Sequence, residues 1–259
     1  LVIDRYDDVL VVQITTLGME VRKELIRAAL IDTLAPRAAV LRSEGPSRGL
    51  EGLEDERGPF IGDTPDEVDI TEGGVRFRVP VLDGQKTGHF YDQALNRAFA
   101  GERCVGRSVL DVYANGGAWG LYGLVGGAES VLAIDRSAGC CARIAVNAAL
   151  NGVADRVEIR EADARPALQA LVAEGRRFGA VVLDPPAFAK AKKAAGAALR
   201  GYREINALGA ALVEPGGWLF TSSCSWHVDE GRFVDAVVAG ARDAGRRLRL
   251  VRRGEQAPD

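Results

Sequence analysis

Ser108-Val109-Leu110-Asp111-Val112-Tyr113-Ala114-Asn115-Gly116-Gly117-Ala118-Trp119-Gly120 reads as an apolar strand that ends on an acid, turns through glycines and runs into a helix. Glycines let backbone approach a ligand closely, and a helix start offers unbonded N–H groups. Downstream the pattern repeats. Strands are expected at Ser130–Asp135, Arg156–Arg160, Gly179–Asp184, Gly217–Ser222 and Arg247–Val251, with helices between them, including Ser137–Leu150, Ala198–Val213 and Asp229–Ala244. Ser137 suits a helix N-cap, and Pro215-Gly216-Gly217 would end one helix and release the next strand. Strands alternating with helices predict a mostly parallel, doubly wound, Rossmann-like α/β sheet.

Upstream the rhythm differs. Val9–Ile14, Ala38–Leu41 and Val75–Val79 read as strands, Met19–Leu34 carries apolar residues at helical spacing, and Glu72-Gly73-Gly74 suits a hairpin turn. Ser43–Pro59, rich in Gly and Glu, reads as a long loop. The expected organisation is a small α+β domain over 1–80, a linking segment over 81–107 and the Rossmann-like domain over 108–259. Within the linking segment, Gln85-Lys86-Thr87-Gly88-His89 lacks periodicity and suits either a plain linker or a flap over a bound ligand.

The 259 residues are 47% hydrophobic and 27% charged, the balance of a soluble globular protein. No apolar run approaches the ~20 residues that span a bilayer, and no secretory leader is recognisable, so a cytoplasmic protein with no membrane partner is expected. Cys104, Cys140, Cys141 and Cys224 lack CxxC spacing and only His89 and His227 accompany them, which argues against a metal site and a disulfide scaffold. A net charge of −3 gives no global support for nucleic-acid binding, which must then rest on local basic groups.

Acids end the first three strands of the alternating region. Asp111 closes the first, Asp135 the second about 20 residues beyond the turn, where it suits ribose hydroxyls, and Asp163 follows the third, placed to meet an adenine amino group. The turn itself, with Tyr113, Asn115 and Gly117, departs from GxGxxG spacing, and Asp111 would repel a pyrophosphate. S-adenosylmethionine carries a sulfonium and an ammonium that carboxylates attract, so it fits better than a dinucleotide. The plainer alternative is that Asp135 and Asp163 cap the helices that follow.

Two further segments carry chemistry, Asp184-Pro185-Pro186-Ala187-Phe188 and Ser222-Ser223-Cys224-Ser225, each following a buried strand. An acid to hold a planar base, a loop stiffened by Pro185 and Pro186, Phe188 to stack or pack, and a thiol on the neighbouring strand suit methyl transfer to a pyrimidine carbon. Cytosine carbon 5 becomes nucleophilic only after addition at carbon 6, which a thiolate can perform. The alternative for Cys224 is a small buried strand residue. Lys190, Lys192, Lys193, Arg200 and Arg203 follow the Asp-Pro-Pro motif and suit either phosphate contacts or a solvated helix face.

Together with Val2–Tyr6, the Gln85–Gly88 segment and Gly201-Tyr202-Arg203-Glu204-Ile205-Asn206, these motifs make the chain resemble the bacterial large-subunit (23S) ribosomal RNA methyltransferases that form 5-methylcytosine. The resemblance implies a class I fold and S-adenosylmethionine as cofactor, with S-adenosylhomocysteine as product. It places Asp111, Gly117, Asp135, Asp163 and Asp184 in the cofactor site, makes Cys224 the nucleophile with Asp184 beside it, and implies large-subunit rRNA as the partner. It leaves a homodimer open. In the family a small RNA-binding PUA domain precedes the segment that begins here at Leu1, and a final strand completes the sheet beyond Asp259, so a fragment or trimmed form is expected. Asp-Pro-Pro also occurs in amino-group methyltransferases, which keeps N-methylation of RNA, DNA or protein as the runner-up. A non-catalytic cofactor- and RNA-binding assembly factor is a third reading, and a nicotinamide oxidoreductase a distant fourth.

Overall fold

Val9 to Val12 are all buried, and their even members pack against a helix while the odd ones face the other side of the sheet. They form β2 (Val9–Gln13), which pairs antiparallel with β1 (Val2–Tyr6) and parallel with β3 (Ala38–Ser43); β3 pairs antiparallel with β4 (Glu56–Ile61). The computed structural model describes residues 1–84, 87–189 and 191–257, and this four-stranded sheet belongs to the first of two units, Leu1–Glu72 with Arg76–Tyr91. The second comprises Gly73–Val75 and Asp92–Asp259.

The parallel β2–β3 crossover runs through α1 (Leu17–Glu20) and α2 (Lys23–Leu34), whose Leu30, with Ile26 and Leu34, covers Leu10, Val12, Ala39 and Leu41. The single helix expected over Met19–Leu34 is therefore two. The Arg22 guanidinium takes the Gly18 carbonyl at 2.6 Å, the oxygen that a continuous helix would offer to the Arg22 N–H, and that N–H turns to Met19. The loop expected over Ser43–Pro59 also needs correction. It holds α3 (Pro46–Leu50), started by Pro46 at its first turn, and the beginning of β4. Arg48, 3% exposed, anchors α3 through bonds to the carbonyls of Ile14 and Glu54 and to Glu20. Residues β5 (Glu67–Glu72) and β6 (Val75–Pro80) form a hairpin whose turn uses Gly73 and Gly74 at φ 55° and 83°, the backbone that a two-residue hairpin requires.

In the second unit α4 (Ala94–Arg103) occupies much of the segment expected to link the domains. The sheet that follows consists of β7 (Ser108–Val112), β8 (Ser130–Asp135), β9 (Val157–Glu161), β10 (Phe178–Leu183) and β11 (Val213–Thr221), all parallel, in the order β11-β10-β7-β8-β9. The connecting helices are α5 (Ala118–Val125), α6 (Ala138–Leu150), α7 (Ala164–Ala173) and α8 (Ala195–Leu212), with α9 (Glu230–Asp243) after β11. This is the expected Rossmann-like α/β architecture. The chain steps outward from β7 through β8 to β9, then returns to β10 on the other side. That reversal opens a crevice at the carboxyl ends of β7 and β10, where ligands of open α/β sheets bind.

Leu110, Val112, Leu132, Ile134, Val181 and Leu183 fill the core with Leu168 and Leu171 of α7 and Ile205 and Leu212 of α8. Each such side chain removed from water contributes about 1.5–3 kcal/mol, and this holds the strand ends in fixed positions. The Ser137 hydroxyl accepts from the Cys140 N–H at 3.3 Å and Asp229 from Arg232 at 2.9 Å, fixing the starts of α6 and α9. The strand expected over Arg247–Val251 is absent: the stretch alternates correctly but forms no ladder, and Leu248, Leu250 and Val251 are exposed. No helix among the described residues is long and apolar enough to cross a membrane.

Candidate active site

Strand order alone places four acids along one edge of the sheet, in the sequence Asp184, Asp111, Asp135, Asp163, from the ends of β10, β7, β8 and β9. Asp111 is fully buried. Its Oδ2 accepts from the Gly120 N–H at 2.9 Å, tying β7 to the first turn of α5, while its buried Oδ1 has no partner among the described residues. Burial pushes the carboxyl up to about 7, and the nearby charges of Asp184 and Asp135 add to the rise. A Cβ on Gly120 would lie 2.8 Å from Val131 and 3.2 Å from Asp111 Oδ2, so only glycine permits this approach.

The turn between β7 and α5 is strained. Tyr113, Asn115 and Gly117 all have left-handed backbone, at φ 64°, 50° and 79°. For a tyrosine such a conformation costs on the order of 1–2 kcal/mol, and strain of this kind gathers where a loop must meet a ligand. Burial raises the Tyr113 hydroxyl to about 12, which keeps it protonated. Asp135 locks the turn, accepting from the Asn115 N–H and the Ser137 N–H, both at 2.9 Å. Asp135 is thus not the cap of α6, a role that Ser137 fills. Asp163 occupies the cap position of α7 but makes no side-chain cap bond, and it is exposed.

A cation-bearing ligand suits this edge: one buried carboxylate oxygen lacks a donor, and its neighbours are acids that would repel a pyrophosphate. The sulfonium and ammonium of S-adenosylmethionine meet that requirement. Thr87 lies in the first unit, where its hydroxyl accepts from the Tyr6 hydroxyl at 3.0 Å and donates to the Asp4 carboxylate. Gln85 and Lys86, expected beside it at the cofactor, fall outside the described residues, as does Lys190. Among the described residues no cluster of His, Cys, Asp or Glu is placed to hold a metal ion.

Beside the acids, Asp184 and Ser222 are brought together because Leu183 pairs with Thr221 in the β10–β11 register. Asp184 Oδ1 accepts from the Ser222 hydroxyl and Oδ2 from the Trp119 indole at 2.9 Å. Cys224, on the loop just past β11, is exposed, and its Sγ lies 3.7 Å from the Pro185 carbonyl oxygen. It is not the buried strand residue of the structural alternative. Cys104, by contrast, is sealed in the core with its thiol raised to about 11. Pro185 is buried, Pro186 exposed, and Phe188 stacks on Tyr202 with ring centroids 4.6 Å apart. Lys192, Lys193 and Arg200 are exposed, whereas Arg203 is held by Asp243 at 2.6 and 2.8 Å, which removes it from the expected phosphate contacts.

Tyr202 of α8 joins the two catalytic-type loops, a role the sequence reading missed. Fully buried, its hydroxyl bonds Ser225 at 2.8 Å and receives a bond from Ser223 at 2.9 Å, while Ser225 also accepts the Ala189 N–H at 3.1 Å. Trp119 and Ser222 were missed too. The available signal was their position inside stretches already singled out, Trp119 at the start of the helix after the Gly-rich turn and Ser222 directly past β11.

The doubly wound sheet and its acidic edge define a Rossmann-like domain built for an adenosyl sulfonium. A family model for S-adenosylmethionine-dependent methyltransferases matches residues 54–259, and the chain belongs to that family. The ribosomal RNA large subunit methyltransferase I of Aeromonas hydrophila is 38% identical over 263 residues, covering 100% of this chain and 66% of its own length; that of Shewanella denitrificans is 38% identical over 259 residues, covering 99% and 65%. The chain thus spans just under two thirds of these relatives. Among solved structures, a chain assigned as a methyltransferase and complexed with S-adenosylhomocysteine superposes with a TM-score of 0.78 at 19% identity, covering 92% of this chain and 61% of that one. Trm5b of Pyrococcus abyssi superposes at 0.68 with 17% identity, over 94% and 66%. These likenesses establish the fold.

Proposed function

We propose that the protein methylates carbon 5 of a cytosine in large-subunit ribosomal RNA, using S-adenosylmethionine and a covalent adduct on Cys224. The observation that carries this reading is the exposed thiol of Cys224, 3.7 Å from the backbone of the Asp184-Pro185-Pro186 loop, at the end of the strand next to the acidic edge. The rRNA substrate is supported by the names of the relatives that match essentially the whole chain. Asp111, Asp135 and Asp163 with the Tyr113–Gly117 turn would hold the cofactor. Pro185, Pro186 and Phe188 would line the path of the RNA. A cytoplasmic setting follows from such a substrate.

When bound, the cofactor would supply an electrophilic methyl group, its sulfonium keeping the electrons of the broken S–C bond and leaving as S-adenosylhomocysteine. Asp184 keeps lone pairs beyond its bonds to Trp119 and Ser222, and accepts from the amino group of the flipped base. The thiolate of Cys224 adds to carbon 6, forming a C–S bond and moving the ring π electrons to carbon 5, which then accepts the methyl group. Loss of the carbon 5 proton to a base restores the double bond, breaks the C–S bond and releases the thiolate. Cys224→Ala therefore abolishes rRNA methylation while cofactor binding, measured by calorimetry, persists. Turnover in Cys224→Ala at the wild-type rate would refute the covalent route and point to methylation of an amino group.

A further inference from the structure

Trp226 is 94% exposed, an unusual position for the largest apolar side chain, and it stands two residues past Cys224. No ring contact or hydrogen bond engages its indole among the described residues. The backbone beneath it is nonetheless fixed. Ser225 and Val228 close a turn through the Val228 N–H to the Ser225 carbonyl at 2.9 Å, and both are buried, at 4% and 9% exposure. Ser225 is held by Tyr202 and Ala189, while Val228 packs with Ala195 and Ala198 at the start of α8. The turn thus carries Trp226 outward on a rigid base. The same cluster includes Ala194, which ends the exposed basic turn of Lys192 and Lys193.

We infer that the Trp226 indole stacks on a nucleobase of the substrate RNA, next to the base that enters the site; this rests on the RNA-methyltransferase reading above. An indole offers a planar face to any base, and a turn that shares a packed cluster with the basic turn of Lys192 and Lys193 fits a polyanion better than an apolar protein partner. Stacking of this kind is sequence-tolerant, so Trp226 would contribute to RNA affinity and to the placement of the target over Cys224.

Methylation of large-subunit rRNA and calorimetric cofactor affinity, compared between wild type, Trp226→Ala and Trp226→Phe, test this. Trp226→Ala should lower kcat/KM for RNA about tenfold or more, chiefly through KM, with cofactor affinity unchanged, and Trp226→Phe should recover most of the loss. An unchanged kcat/KM in Trp226→Ala overturns the stacking role and leaves the proposed methylation standing. Loss in both variants together with weakened cofactor binding marks a structural role and also overturns it. A wild-type protein that transfers no methyl group to any rRNA overturns the functional reading, and the stacking role with it.

Discussion

Asp111 and Cys224 invert the usual behaviour of their residue types. An aspartate ordinarily ionises near 3.8, yet burial and two neighbouring acids hold Asp111 up to about 7. A carboxyl raised in the folded state favours the fold below its unfolded pKa, and that contribution disappears as pH climbs from about 4 through about 7. A cofactor ammonium beside Asp111, as proposed, would reverse the balance by favouring the charged form. Affinity for S-adenosylmethionine should therefore rise as pH increases from about 5.5 to 7.5, and Asp111→Asn should bind more weakly with a flattened slope, as read by calorimetry across that range. Asparagine can still accept from Gly120, so the start of α5 is preserved. At this scale the local bonds were legible in the sequence, because Asp111 and Gly117 act within one strand-turn-helix stretch, whereas Asp135 also reaches back 20 residues to the Asn115 N–H. The bonds of Asp184 were not. Trp119 and Ser222 reach it from distant parts of the chain, and only the register of β10 with β11 makes them neighbours.

Among the elements, α8 has a larger role than its position after the Asp-Pro-Pro loop suggests. The buried Tyr202 hydroxyl holds Ser223 and Ser225 of the loop after β11, while its ring stacks on Phe188 of the loop after β10 and Ser225 accepts from Ala189 there. Tyr202→Phe keeps the ring stack on Phe188 but leaves Ser223 and Ser225 short of a partner, a loss of about 1–2 kcal/mol. Chemical denaturation should register that loss, and turnover should fall further than cofactor affinity, since the loops move apart before the acidic edge does. Tyr202 lay in plain view in the Gly201–Asn206 motif, but a side-chain bond across more than 20 residues leaves no local pattern. The stretch 43–59 failed to read as structure for another reason. In β4 the residues Glu56, Arg57 and Gly58 form the polar half of an edge strand, whose composition resembles a loop until its ladder partner is known. Arg247–Val251 errs in the opposite direction, with strand-like alternation and no ladder to join.

At the scale of the whole molecule, the order β11-β10-β7-β8-β9 is what turns separate motifs into a site. Sequence order separates Asp163 from Cys224 by one helix, one strand and a further strand-helix pair, while the sheet sets Asp111, Asp135 and Asp163 on one side of Asp184 and the thiol on the other. The alternation of strands and helices was enough to anticipate that sheet, since parallel strands demand crossovers. With a net charge of −3, the proposed RNA contact would have to be local, at the basic turn of Lys192 and Lys193 and at Trp226, and not spread over the surface. The covalent step through Cys224 is the central claim, and large-subunit rRNA carrying 5-fluorocytosine tests it most directly. Fluorine at carbon 5 blocks the final elimination, so incubation with S-adenosylmethionine should leave RNA bound to the protein through Cys224, resistant to denaturing electrophoresis and absent from Cys224→Ala. Methyl transfer to unsubstituted rRNA without any such adduct would contradict it.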